Sequence, residues 1–171
     1  MAALEDKAAA IIASNRYLTL ATMGQEGPWA SPLAFTLEPD FSLVFYSALE
    51  AIHCRNIAAN SQVGGAIFDL TKPSDNAAGV QFAGHCAVIA EADLEPVMKR
   101  YFEQSFPDPA IRRSWLRPAA DFSGAAPQRF YRIEIASLFM PDPKSVKVDR
   151  RVELNIGKVA QTLRAQLQER G

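Results

Sequence analysis

The chain has little sulfur to work with: two cysteines, Cys54 and Cys86, in 171 residues. Each follows a histidine, in the pairs His53-Cys54 and His85-Cys86, and together these number the four N/S ligands of a structural zinc site. The objection is geometric. Neighbours on a strand point to opposite faces, so His85 and Cys86 are not expected to share an ion. Both cysteines read as ordinary buried thiols, and no metal is expected. There is no excess of either charge: 18 Lys and Arg stand against 19 Asp and Glu, a net charge of −1. A nucleic-acid footprint needs clustered cations, which are missing. No apolar run is long enough to span a bilayer, so no membrane is expected as a partner. The opening M-A-A-L-E-D-K-A-A-A-I-I lacks a basic start, an apolar stretch and a cleavage site, and the expected compartment is the cytoplasm. The glycines at 24, 27, 64 and 65 form no dinucleotide fingerprint. Strand-helix alternation is also absent, which disfavours a parallel sheet. No nucleophile with a base and an orienting group is visible.

What is present is a hydrophobic content of 49%, enough for one core without staples. A single domain over 1–171 is expected, with its core over about 11–140 and a helical extension over 141–171. The pattern predicts a helix over 2–14, with Leu4, Ala8, Ile11 and Ile12 on one face. A strand over 17–23 follows, then a hairpin over 24–28 with two glycines to accept positive φ. The next strand spans 29–37, where Pro32 marks an edge or a bulge. Further strands are expected over 43–46 and 63–70, with a short helix over 48–59 between them. A polar connection spans 72–79. A long strand over 79–90 carries Gly84 as a bend. Asp93 is expected to cap a helix over 94–106, and a short helix is expected over 111–116. The segment R-F-Y-R-I-E-I-A, 129–136, alternates most clearly: Phe130, Arg132 and Glu134 against Tyr131, Ile133 and Ile135. A strand over 152–156 and a helix over 157–169 close the chain. Strands joined by tight turns outnumber helices, which favours an antiparallel barrel.

Residues 17–69 carry the most informative order: strand, turn, strand, turn, strand, short helix, strand. The third strand ends in Tyr46-Ser47 and feeds a helix with His53, Arg55 and Asn56. A hydroxyl, helix-terminal N–H groups and cationic side chains together suit a phosphate. A V-Q-F-x-G strand and a Y-F-x-x-x-F-P helix end follow at 80–84 and 101–107. Over about residues 11–136 this sequence resembles the FMN-binding split barrel of pyridoxamine phosphate oxidase and its relatives. The resemblance implies a mainly β (α+β) fold, an antiparallel split β-barrel with flanking helices. It implies an FMN cofactor, with FAD, a deazaflavin or haem as alternatives. The implied activity is electron transfer from reduced nicotinamide, or a similar donor, to a small-molecule substrate. The competing readings are a flavin or haem carrier or stress-related protein without turnover, and a deazaflavin-dependent reductase. The implied assembly is a homodimer with cofactor sites at the interface.

Carried over by position, the resemblance puts Ser31, Pro32 and Leu33 beside the isoalloxazine. Tyr46 and Ser47 form the strand end whose hydroxyl meets the phosphate. His53 stands where the family carries Lys, and Ile52 where the oxidase often has Arg, so Arg55 is left to compensate. Gln81 and Trp115 are implied to reach the cofactor held by the partner subunit. Structural roles stand beside these: Ser47 can simply cap the next helix, and Arg55 can pair with Glu50 or Asp69. Gln81 can belong to the barrel wall, and Trp29 and Trp115 can be packing residues. The oxidase's own substrate-binding Arg and His motif is not seen in V-D-R-R-V-E-L-N-I, so that specific activity is not expected.

Overall fold

A computed structural model describes residues 3–68, 79–145, 148 and 150–168. The expected polar connection, the end of the fourth strand and Asp69 lie outside them. The first helix, α1 (Leu4–Ser14), buries Ala8, Ala9, Ile11 and Ile12. Strands β1 (Tyr17–Gly24) and β2 (Gly27–Ala34) form a hairpin closed by Gln25-Glu26. Only Gly27 takes the left-handed conformation there, at φ 104°, so one glycine rather than two answers the turn's demand.

The expected strand over 29–37 breaks at Phe35. Its end, β3 (Thr36–Leu37), leaves β1 and pairs with β4 (Leu43–Ala48). The sheet continues through β5 (Gln62–Phe68), β6 (Gly79–Val88) and β7 (Gln128–Pro141). Its order is β2-β1-β5-β6-β7-β4-β3, antiparallel throughout, and β8 (Arg151–Glu153) pairs with the end of β7. β2 and β3 are the two ends of that order, yet one residue joins them. The sheet must therefore curl until its ends meet, which makes a barrel open along one seam. Pro28 and Pro32 lie on the end strand β2, where a missing N–H costs no ladder bond. The corner falls where the sequence places it. The β6–β7 register shifts between Ala83 and Gly84, and a Cβ on Gly84 would stand 2.1 Å from the Glu134 carbonyl oxygen.

Leu20, Phe45, Ile67, Val80, Tyr131, Ile133 and Leu138 fill the barrel, and α1 and α5 (Ile156–Gln168) add Ile12 and Val159 to the same core. A second core lies outside the barrel wall. There α3 (Glu91–Ser105) packs Leu94, Val97, Tyr101 and Phe102 against Val44 and Phe130. Helix α3 starts earlier than expected. Its N-cap is Ala90, and Asp93 lies in its first turn, where a carboxylate favours the helix dipole without capping it. Helix α2 (Ile52–Ala59) starts later than expected, because residues 48–51 form a turn held by Leu49 N–H to the Pro127 carbonyl and Ala51 N–H to the Ala48 carbonyl. Helix α4 (Pro109–Trp115) is capped by the Asp108 carboxylate and buries no residue.

Candidate functional site

The seam is where separate segments of sequence converge. Helix α2 lies across it. Its first turn turns His53 inward, 7% exposed, and turns Arg55 outward, the opposition expected of residues two apart on a helix. His53 joins the two sides of the split. Its Nδ1 lies 3.1 Å from Ser31 Oγ on β2, and its Nε2 lies 2.9 Å from Ser47 Oγ on β4. Trp29 completes the row, its indole N–H donating to Ser31 Oγ at 3.1 Å. Burial alone lowers the His53 pKa below its ordinary value, so the ring is neutral near neutral pH.

Trp29, Ser31, His53 and Ser47 thus form a hydrogen-bonded chain of four groups from an exposed indole to the half-buried end of β4. Beyond Ser47, the Cys54 thiol lies within reach of the Ser47 and Tyr131 hydroxyls. Burial raises Cys54 above its usual pKa and pushes Cys86 up to about 12. Both are therefore inert thiols, as their sequence context suggests. Among the described residues no three His, Cys, Asp or Glu side chains converge as a metal would need.

Hollows flank β2 at both ends. Near its start a cleft of about 500 Å³ runs between the hairpin and α2, lined by Glu26, Trp29, Ile52, Arg55 and Asn56 among others. At its finish a larger cleft, about 800 Å³, is walled by Tyr17, Phe35, Tyr46, Tyr101 and Phe106. Thr36 Oγ1 in that wall is buried with no hydrogen-bond partner.

The remaining candidates separate. Pro32 is exposed and Leu33 half-buried, both on β2 within a few residues of Ser31. Tyr46 precedes Ser47, so strand alternation sends its ring to the other face, among Tyr101, Phe122 and Phe130. It belongs to the α3 core and the larger cleft, not to the His53 chain. Arg55 Nη1 donates to the Glu50 carbonyl, so the expected partner is right in residue but is backbone rather than carboxylate. Gln81 accepts from Arg151 Nε at 2.7 Å on the outer face of the sheet. Trp115 stacks on Phe106, ring centroids 5.0 Å apart, and is 51% exposed. Trp29 is 45% exposed, so neither indole is a buried packing residue. Thr36 and the Trp29–Ser31 bond are missing from the sequence reading. The break at Phe35 that aims Thr36 inward leaves no mark in composition.

No helix among the described residues is long and apolar enough to cross a membrane. No curated protein matches the sequence. Solved structures that resemble the fold include a haem-binding protein from Mycobacterium smegmatis, at 21% identity and TM-score 0.70. That match covers 94% of this chain but only 61% of the Mycobacterium protein. A FAD-binding protein from Mesorhizobium loti matches at 19% identity and TM-score 0.59, over 81% of this chain and 92% of its own. The haem storage protein HutZ from Vibrio cholerae matches at 18% and 0.58, over 76% and 89%. The same split-barrel fold thus hosts both flavin and haem in other proteins. Residues 4–139 match the family model described as pyridoxamine 5'-phosphate oxidase, and the chain belongs to that family.

Proposed function

We propose that this protein binds FMN along β2 and passes electrons from a reduced donor to a small-molecule acceptor. The observation that carries the reading is the meeting of Ser31, Ser47 and His53 at the seam, with a cleft at each end of β2. The flavin itself supplies the redox chemistry; the protein holds and aims it.

The residues present suit that task. The Ser47 hydroxyl and the N–H groups at the start of α2, which has no side-chain cap, face an incoming phosphate. Arg55 lines the cleft at the start of β2, on the outward side of the same helix, and is free to meet the phosphate there once it releases the Glu50 carbonyl. Main-chain groups from Ser31 to Leu33 run beside the ring system. The aromatic cleft at the other end receives the acceptor, with Thr36 Oγ1 free to bond a polar atom of it. A second copy of the chain completes each site, bringing Gln81 and Trp115 to the cofactor held by the first. A haem in place of the flavin would be held by a histidine. His53 has both ring nitrogens engaged, whereas exposed His85 among the described residues bonds Ser61 through Nδ1 at 3.3 Å and would be the histidine to hold it.

The absorption spectrum of the purified protein and titrations of the apoprotein with FMN and riboflavin test the choice. Flavin bands, quenched flavin fluorescence and reduction by a nicotinamide donor are expected. Failure to bind either flavin, together with a Soret band on adding haem, overturns the flavin reading.

A further inference from the structure

Charge gathers around the turn between β3 and β4, away from the seam. Glu38 is buried there, and both its oxygens accept from Arg100 Nε, at 3.1 and 3.0 Å. Arg132 brings a second guanidinium, 4.0 Å from Glu38 Oε2 and 3.8 Å from Asp40 Oδ2. The turn is held closed by its own bonds. Glu38 N–H donates to the Ser42 carbonyl, and Phe41 N–H to the Glu38 carbonyl. Ser42 gives both its N–H and its hydroxyl to Asp40 Oδ1. That closure keeps Phe41 at φ 71°, a backbone cost of the kind that clusters at ligand clamps.

Beside this turn, between α3 and α5, lies a hollow of about 300 Å³. Its floor is apolar: Leu37, Pro39, Phe41, Ala160 and Leu163. Two guanidinium groups stand at its rim. Arg100 spends Nε and Nη2 on Glu38 and has Nη1 left over among the described residues. Arg164 is exposed and has no hydrogen bond or ion pair among the described residues. The charges therefore do not balance. Arg100, Arg132 and Arg164 stand against Glu38 and Asp40, while Glu103 is taken by Arg112 at 3.9 Å. One positive charge remains, at the edge of an apolar floor. A guanidinium stays protonated at ordinary pH and holds a carboxylate by paired bonds. Glu38 does not repel such a guest strongly, because two arginines already face its charge.

We infer that this hollow binds a small carboxylic acid with an alkyl tail, its carboxylate on Arg164 and Arg100 Nη1 and its tail over Phe41 and Leu163. The volume is at the low end for ligand pockets, so a short or medium chain fits and a long lipid tail does not. Ser31, Ser47 and His53 lie outside it, so the site stands whether or not the chain binds flavin. Leu37 and Gln104 line both this hollow and the aromatic cleft, so the two share a wall.

Calorimetric titration of the whole protein with octanoate tests the site. One octanoate is expected to bind per chain. Octanol, which keeps the tail, and acetate, which keeps the carboxylate, should each bind about tenfold or more weakly. Arg164→Gln should weaken octanoate about tenfold, a typical loss for a bond to a charged group, and leave octanol unmoved. Because Arg164 is exposed, this variant is expected to melt with the wild type. Arg113→Gln, which removes an exposed arginine on α4, should change nothing. In ¹H–¹⁵N spectra octanoate should shift the amides of Phe41 and Leu163 and leave those of Ser31 and Ser47 in place. Octanoate that fails to bind, that binds Arg164→Gln as well as wild type, or that shifts the amides of the seam in place of those around Phe41 overturns the site.

Discussion

His53 is held neutral by burial, with only the hydroxyls of Ser31 and Ser47 on its ring nitrogens. That leaves a signature in the free protein. The folded pKa lies below the unfolded value near ~6.5, so the unfolded chain binds more protons as pH falls below that value. The penalty is absent above the unfolded pKa. It grows as pH falls toward the folded pKa and levels off below it. Thermal melts of wild type and His53→Gln are expected to diverge below pH ~6.5, the wild type losing stability faster. Parallel curves would show that His53 is not buried as described. His53, Ser31 and Ser47 stand out in the sequence by position, but their bonds to each other do not, because the three lie on different elements. The separation of Tyr46 from Ser47 follows from alternation alone, and adjacency hides it. Phe41 shows the limit of such reading. It adopts φ 71° in the β3–β4 turn, where glycine is favoured, while its ring is buried in the barrel core.

At the level of elements, α3 holds the end of the sheet by side chains one turn apart. Gln104 accepts from Leu37 N–H at 3.1 Å and donates to the Leu37 carbonyl at 2.7 Å, standing in for a further strand beside β3. Arg100 grips Glu38, which is 6% exposed, with Nε 3.0 Å from Oε2. Removing Arg100 leaves a buried carboxylate with, among the described residues, only the Arg132 guanidinium near it, at 4.0 Å. Arg100→Ala should therefore destabilise by about 2 kcal/mol, below the usual range for a buried pair because the arginine is partly exposed. Gln104→Ala should cost about 1 kcal/mol. Urea denaturation measures both, and losses under ~0.5 kcal/mol would place them with ordinary surface changes. In the sequence these two residues read as the polar face of an amphipathic helix. Nothing local reveals that a two-residue end strand waits opposite, since the break at Phe35 creates it. The helices and long strands are legible because their periodicity spans many residues. The short pieces and exact starts depend on contacts from far along the chain.

Over the whole molecule, the outer face of β2, β1, β5 and the first half of β6 presents mostly small residues, Ala30 and Pro32, Thr19 and Ala21, Gly64 and Ala66, and Ala83, with Gln81 and its Arg151 partner at the β6 side. Tyr17, Met23 and Phe68 border it, at 68%, 51% and 44% exposure. Such a smooth apolar face suits a second copy related by two-fold symmetry. Sedimentation should show a dimer at micromolar concentration, and Ala21→Glu, with Ala21 exposed on this face, should give a monomer with an unchanged circular dichroism spectrum. A wild-type monomer that still binds flavin would sink the two-copy site. The strand order also bears on how the chain acquires its shape during synthesis. β1 finds β2 within a few residues, but β4 waits for β7, and Leu43 pairs with Ile133 some 90 positions later. Contacts of such separation slow folding. On the ribosome, about the first three-quarters of the chain must emerge with one edge of β4 unpaired and only the two-residue β3 on the other, which leaves Leu43, Val44 and Phe45 at risk of sticking to other chains until residues 128–141 arrive.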